Sequence, residues 1–248
     1  MLLTTLFIIG IVAEAATGAL AAGRQKMDLF GVTMIATVTA LGGGSARDVL
    51  LGHYPLTWVK NPHYLLIVAA TAIIAVSISW LMRHFRRLFL VLDAVGLSAF
   101  TVIGANVALE MGHGPIIAVV SALLTGIMGG VLRDILCNRL PLVFHKELYA
   151  TVVLIGAVVY LIMREVNIDE RITVVTALLV TFLTRMIALK FRLSLPVFDY
   201  QSHEYARPDW TRIWPARVRR LRFGAGKRKS EGKTAISAPS PDLSLIHI

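Results

Sequence analysis

The sequence predicts an all-α integral membrane protein, with seven transmembrane helices arranged as two inverted three-helix repeats plus a seventh helix. Three observations carry that prediction. Of 248 residues, 56% are hydrophobic and 16% charged, against roughly 45–50% and about 25% in soluble domains. The apolar residues gather in seven blocks, at 2–22, 29–51, 63–82, 89–110, 115–137, 147–163 and 172–191, each near the ~20 residues that cross a hydrocarbon core as a helix. The chain also matches itself after a shift of 86 residues.

The first block ends in the small residues of GALAAG, the kind of site at which a secretory leader is cleaved. No Lys or Arg precedes it, Glu14 interrupts it, and it has a counterpart later in the chain. It is therefore expected as a helix of the mature protein. The second block contains the stretch TALGGGSARDVLLGHYPLTW, residues 39 to 58. The third runs to Arg83, Arg86 and Arg87, and the fourth begins beside Asp93. The fifth carries GGVLRDILCNRLP, residues 129 to 141, and the sixth and seventh are joined at Asp169 and Glu170.

The repeat holds one register without a gap. Gly10 falls on Gly96, Ala13 on Ala99, Gly18 on Gly104, Ala36 on Ala122 and Thr39 on Thr125. Gly43 and Gly44 fall on Gly129 and Gly130, Arg47 and Asp48 on Arg133 and Asp134, Pro55 on Pro141 and Lys60 on Lys146. Each copy holds three spans, an odd number, so the second enters the membrane upside down. Inverted repeats are a recurrent construction in transporters, with the binding site near their shared axis. The expected segments are a first repeat at 1–88, a second at 89–168, a seventh helix at 169–192 and a tail at 193–248.

Cytoplasmic loops are enriched in Lys and Arg. With seven spans, Arg24/Lys26, Arg83/Arg86/Arg87, Arg139/Lys146 and the tail share one side. That side is expected to be cytoplasmic, with the amino terminus outside. Tyr54, Trp58 and Tyr64 suit an aromatic belt at the outer interface.

Gly42, Gly43 and Gly44 need a reason, because glycine in a helix interior costs about 1 kcal/mol relative to alanine. Small residues let membrane helices approach closely. Consecutive glycines also invite a kink, which is tolerated at membrane depth where backbone is buried in protein or lines a watery cavity. Counting from residue 29 at ~1.5 Å per residue, Arg47 lies ~27 Å along its helix, toward the outer face. Arg133 reaches a similar depth toward the cytoplasm. One Arg-Asp pair therefore stands near each mouth, where it either fastens helix ends or gates, and the two roles are compatible.

The repeated GGGSARDVLLGHYP and GGVLRDILCNRLP, within seven spans arranged as three, three and one, resemble the trimeric intracellular cation (TRIC) channel family in its prokaryotic branch. The resemblance covers roughly residues 4–192. It implies a homotrimer with one pore per protomer, permeable to monovalent cations and chiefly potassium, with kinks at the glycine motifs of the second and fifth spans and lipid between protomers. The residues it marks for pore and gating are Gly42, Gly43, Gly44, Arg47, Asp48, Gly129, Gly130, Arg133 and Asp134. The glycine triplet is reduced in the second copy, where Met128 precedes Gly129. Some bacterial relatives are classed as glycine transporters, which makes a secondary transporter of a small zwitterion the alternative.

Glu14 lies mid-span, where an acid is expensive; it is expected to face the pore or pair with a cation, or else to be a protonated, hydrogen-bonded carboxyl. Its repeat counterpart is Phe100. Asp93 reads as an interfacial anchor beside Arg86 and Arg87. Asn106 and Arg185 read as polar groups that bond neighbouring helices. The histidines lack metal-ligand spacing, and Cys137 is the only cysteine, which excludes an intrachain disulfide. No cofactor is expected. No nucleophile-base pairing or phosphate-binding loop points to an enzyme.

The tail RPDWTRIWPARVRRLRFGAGKRKSEGK is basic, with Trp210 and Trp214 interleaved. Such residues are worth ~1 kcal/mol each near an anionic leaflet, so anionic membrane lipids are the expected partners and nucleic acid is not. From about residue 224 the composition reads as disordered.

Overall fold

The computed structural model describes residues 1–78, 85–144 and 148–191. Arg83, His145, Lys146 and the tail at 193–248 lie outside the described residues. Within them the regular structure is helical: α1 (Leu2–Arg24), α2 (Leu29–Leu51), the short α3 (Thr57–Lys60), α4 (His63–Ser77), α5 (Phe85–Glu110), α6 (Pro115–Leu136), α7 (Tyr149–Glu165) and α8 (Glu170–Phe191), with a 3-10 turn at Leu142–Phe144. Five stretches, α1, α2, Arg87–Glu110 of α5, α6 and α8, are long and apolar enough to cross a membrane, and α4 is a shorter apolar helix. The chain is a multi-pass membrane protein.

Local chemistry sets the helix ends. Asp28 caps α2 by accepting the Gly31 amide at 2.7 Å, the usual use of an aspartate at this position. α2 ends at Gly52, in the left-handed region at φ 71°, where glycine carries no Cβ penalty. The repeat-equivalent residue after α6, Asn138, takes the same conformation at φ 52°. Lys26 after α1 and Gly112 after α5 form a second such pair, at 58° and 80°. Backbone turns therefore recur at the 86-residue spacing even where the side chains differ.

The packing repeats as well. A Cβ built on Gly18 would meet Thr39 Oγ1 at 2.7 Å and Ala36 Cα at 2.8 Å; one built on Gly104 would meet Thr125 Oγ1 at 2.7 Å and Ala122 Cα at 2.8 Å. These glycines let α1 close on α2 and α5 close on α6, the small-residue packing that membrane helices favour.

Contacts between the two halves are reciprocal. Gly43 abuts the Thr125 carbonyl, and Gly129 abuts the Thr39 carbonyl. As residue numbers rise along α2 they fall along α6, so the helices cross antiparallel, centred near Leu41 and Ile127. In the same manner Gly10 faces Phe100 and Gly96 faces Glu14, so α1 and α5 are also antiparallel. These two are the most buried of the long helices.

α2 and α6 are both continuous α-helices through their glycines. The visible use of Gly43 and Gly129 is contact between backbones. Gly44 and Gly130 are differently placed, since a Cβ on either would meet nothing closer than 3.8 Å and 3.5 Å respectively.

Candidate functional site

Because α2 and α6 are antiparallel, their carboxyl-terminal Arg-Asp pairs stand at opposite ends of the crossing. Each arginine is six residues past the centre, which at 1.5 Å per residue puts the pairs about 18 Å apart along the helix direction. Arg47, Asp48, Arg133 and Asp134 are all buried. Removing charge from water is tolerated only with paired and hydrogen-bonded partners, and each end supplies them differently.

At the α2 end, Arg47 donates from Nε and Nη2 to Asp48 Oδ1, at 2.9 and 2.7 Å. Asp48 Oδ2 accepts the amide and hydroxyl of Thr57, at 3.1 and 3.0 Å. The pair thereby ties α3 and the Pro55 loop to the end of α2. His53 Nδ1 lies 3.1 Å from Asp48 Oδ1, and Trp58 donates its indole N–H to Ser45 at 3.0 Å. Arg47 Nη1 is buried without a hydrogen-bond partner. Beside this cluster Phe7, Gly44, Ser45, Asp48, Thr57, Trp58 and Phe100 line a cavity of about 10 Å³, scarcely room for one water.

At the α6 end, Arg133 donates from Nε to Asp134 Oδ1 at 2.9 Å. Its Nη1 donates to Asp93 Oδ1 at 3.1 Å and to Thr17 Oγ1 at 3.2 Å, and stands 3.9 Å from Glu14 Oε2. Thr17 in turn donates to Glu14 Oε2 at 3.1 Å. Arg185 of α8 approaches Asp93 Oδ2 at 3.7 Å and lies over the Tyr149 ring, while the Arg133 guanidinium lies over Phe89. Asp134 Oδ2 accepts the Leu142 amide at 3.1 Å. The space between Gly130, Arg133, Asp134, Leu142 and Tyr149 has no free volume.

The structure thus brings Glu14 together with Arg133 and Asp134 and keeps Arg47 and Asp48 in a separate cluster. It also adds partners that the sequence did not assign to either cluster. Asp93 is not an interfacial anchor: it is fully buried and bonds Arg133, because the face of α5 that carries it turns toward α1 and α6. Thr17 and Tyr149 join the same cluster, and Thr57 joins the other. Arg185 meets a neighbouring helix as expected, through Asp93 of α5. Asn106 bonds between helices as expected, accepting from Tyr160 of α7 at 2.8 Å, and it donates to Glu110 at 2.7 Å.

The two ends differ where the repeat differs. The partners of Arg133 Nη1, Asp93 and Thr17, occupy the repeat positions of Phe7 and Ile103, and Glu14 occupies that of Phe100. One end is therefore rich in carboxylates and the other is lined by phenylalanine rings.

A family profile described as Glycine transporter matches residues 4–80 and 90–165, two segments whose starts lie 86 residues apart. The UPF0126 inner membrane protein YadS of Escherichia coli K12 is 38% identical over 203 residues, covering 80% of this chain and 97% of YadS. A UPF0126 membrane protein of Vibrio cholerae is 36% identical over 201 residues, covering 79% of this chain and 83% of its own. Among solved structures, a TRIC trimeric intracellular cation channel orthologue from Rhodobacter sphaeroides superposes with TM-score 0.75 at 34% identity, covering 77% of this chain and 99% of that one. A prokaryotic TRIC channel crystallised in 0.5 M KCl gives TM-score 0.73 at 34% identity, covering 79% and 99%.

Proposed function

Since the chain belongs to the prokaryotic TRIC channel family, which the Glycine transporter profile also describes, we propose that it is a monovalent-cation channel permeable to potassium. In this proposal the protein has seven spans, two inverted three-helix repeats and a seventh helix, with the amino terminus outside and the tail cytoplasmic in a bacterial inner membrane. Three copies assemble, each with its own pore, and anionic lipid contacts the assembly.

One observation carries the reading: two buried Arg-Asp clusters cap opposite ends of one antiparallel helix crossing. A path along α2 and α6 meets a positive charge, neutralised by carboxylates, at each end. The small free volume there, about 10 Å³ at one end and none at the other, supports reading this as a closed conformation. Opening then requires Asp48 to release Thr57 and Asp134 to release Leu142, so that the loops move off the helix ends. Gly44 and Gly130, which face no close neighbour, are where α2 and α6 bend as this happens, and Gly42, Gly43 and Gly129 set the crossing about which they bend.

A secondary transporter of a small zwitterion such as glycine is the second reading, favoured by the profile's description and by the unpartnered Arg47 Nη1, a donor suited to a carboxylate. Purified protein reconstituted into vesicles separates the two. Stepwise currents in planar bilayers without labelled glycine uptake support the channel; saturable uptake without currents supports the transporter.

A further inference from the structure

Among the described residues, the α6-end cluster has an odd charge count. Glu14, Asp93 and Asp134 bring three carboxyl groups, and Arg133 and Arg185 bring two guanidinium groups, all of them buried. If every group were ionised, one negative charge would stand uncompensated where water does not reach, a state that buried groups escape by binding a proton or a counter-ion. A second observation points the same way. Asp93 is fully buried, yet its Oδ2 accepts no hydrogen bond and meets Arg185 Nη2 at 3.7 Å, so the negative charge on that oxygen is only loosely compensated. The other end shows what the fold needs without this excess, because its repeat positions hold Phe7 and Phe100 and its Arg47 is matched by Asp48 alone.

We infer that Glu14 holds a proton in this conformation and that a monovalent cation competes with that proton for the α6-end cluster. Glu14 is the member able to do so. Arg133 is bonded directly to Asp93 and Asp134, at 3.1 and 2.9 Å, but stands 3.9 Å from Glu14. Asp134 also receives the Leu142 amide, whereas the group nearest Glu14 is the Thr17 hydroxyl. Among the described residues, the ionisable side chains facing Glu14 are Asp93 of α5 and Arg133 and Asp134 of α6, with Arg185 of α8 and Tyr149 of α7 behind them. Of the other helices packed on α1, α2 carries Arg47 and Asp48 at the opposite end. α4 carries Tyr64 beside Phe7, about two turns from Glu14. Loss of the proton restores the uncompensated charge, and a cation entering from the α6 end neutralises it. Acidification therefore favours the closed cluster, and this half of the inference rests on cation conduction as proposed above.

Infrared spectroscopy of the full-length protein in lipid vesicles tests the proton directly, independently of any current. At neutral pH the protein should show the carbonyl band of a protonated carboxylic acid, shifted by isotopically labelled glutamate and lost in Glu14→Gln. Absence of the band, or a band that labelled glutamate leaves in place, overturns the assignment even where Glu14→Gln fails to assemble. In bilayers, wild-type potassium conductance should rise with pH and that of Glu14→Gln should stay flat and low. A wild-type conductance independent of pH overturns the competition. An absence of any current would instead count against the channel and leave the infrared result standing.

Discussion

Alanine at Gly43 should force α2 and α6 apart, and the structure sets the size of the effect. The new Cβ would fall inside 3.0 Å of the Thr125 carbonyl, a backbone atom that no rotamer change can move, and Gly129→Ala would do the same to the Thr39 carbonyl. Restoring contact distance needs the crossing to open by about 1 Å, enough to forfeit a quarter to a half of the dispersion energy between facing atoms. Overfilling a packed site costs about 1–3 kcal/mol, and a clash with backbone belongs at the upper end. The better helix propensity of alanine returns about 1 kcal/mol. The net loss is about 2 kcal/mol, a fall in melting temperature of about 4–8 °C for a domain of this size. Both clashes are relieved by the same separation, so the double variant should lose less than the sum of the single losses. Gly44→Ala is the control: the nearest atom is Arg47 Nη2 at 3.8 Å, so it should assemble with unchanged or higher stability. Because it favours a straight helix without a clash, it reports bending through its currents alone. Thermal unfolding of the purified oligomers decides the matter. If Gly43→Ala and Gly129→Ala melt with Gly44→Ala, the close crossing is wrong.

Arg133→Gln should be far more damaging than Arg47→Gln, because it leaves Asp93, Asp134 and Glu14 facing one another in a buried site, a loss of about 3–5 kcal/mol; comparable yields and melting temperatures of the two variants would contradict this. In a Cys137→Ser background, single cysteines at Lys26 and His113 should label from opposite faces of the membrane, and labelling from one face would remove the inverted arrangement. Deleting residues 224–248 should leave the oligomer and its currents intact, as judged by size-exclusion chromatography and bilayer recording; dissociation would give that polar segment a structural role.

Much of the fold could be read in the sequence because the repeat is carried by residues with strong local demands. Gly18 and Gly104 are needed where helices touch, Gly52 and Asn138 where the chain turns left-handed, and Arg-Asp where a helix end is fastened to the loop after it. A one-dimensional shift detects all of these, since each works within its own repeat. Asp93 escaped because it lies near the end of an apolar block, in sequence beside Arg86 and Arg87, and its real partner, Arg133, is 40 residues away on α6. Thr17 escaped for a related reason: it falls on Ile103 under the shift. Arg185 was legible as a group that bonds a neighbouring helix, but its helix has no repeat partner to point to Asp93. The division of labour among the glycines was also hidden. Gly43 and Gly44 are adjacent, yet one faces a backbone carbonyl and the other has room for a methyl group, a difference of 100° around the helix that only the identity of the neighbouring helix reveals.

If each protomer carries its own path past the two Arg-Asp clusters, chemical block of the current should proceed stepwise. Ser45 lines the small cavity at the α2 end, so Ser45→Cys, in the Cys137→Ser background, places a modifiable thiol in that path. Single oligomers recorded in a planar bilayer while a charged thiol reagent is added from the outer side should lose current in three equal steps, one per protomer. A single all-or-none loss would place the path on the axis between protomers, and undiminished current after complete modification would place it away from the clusters altogether.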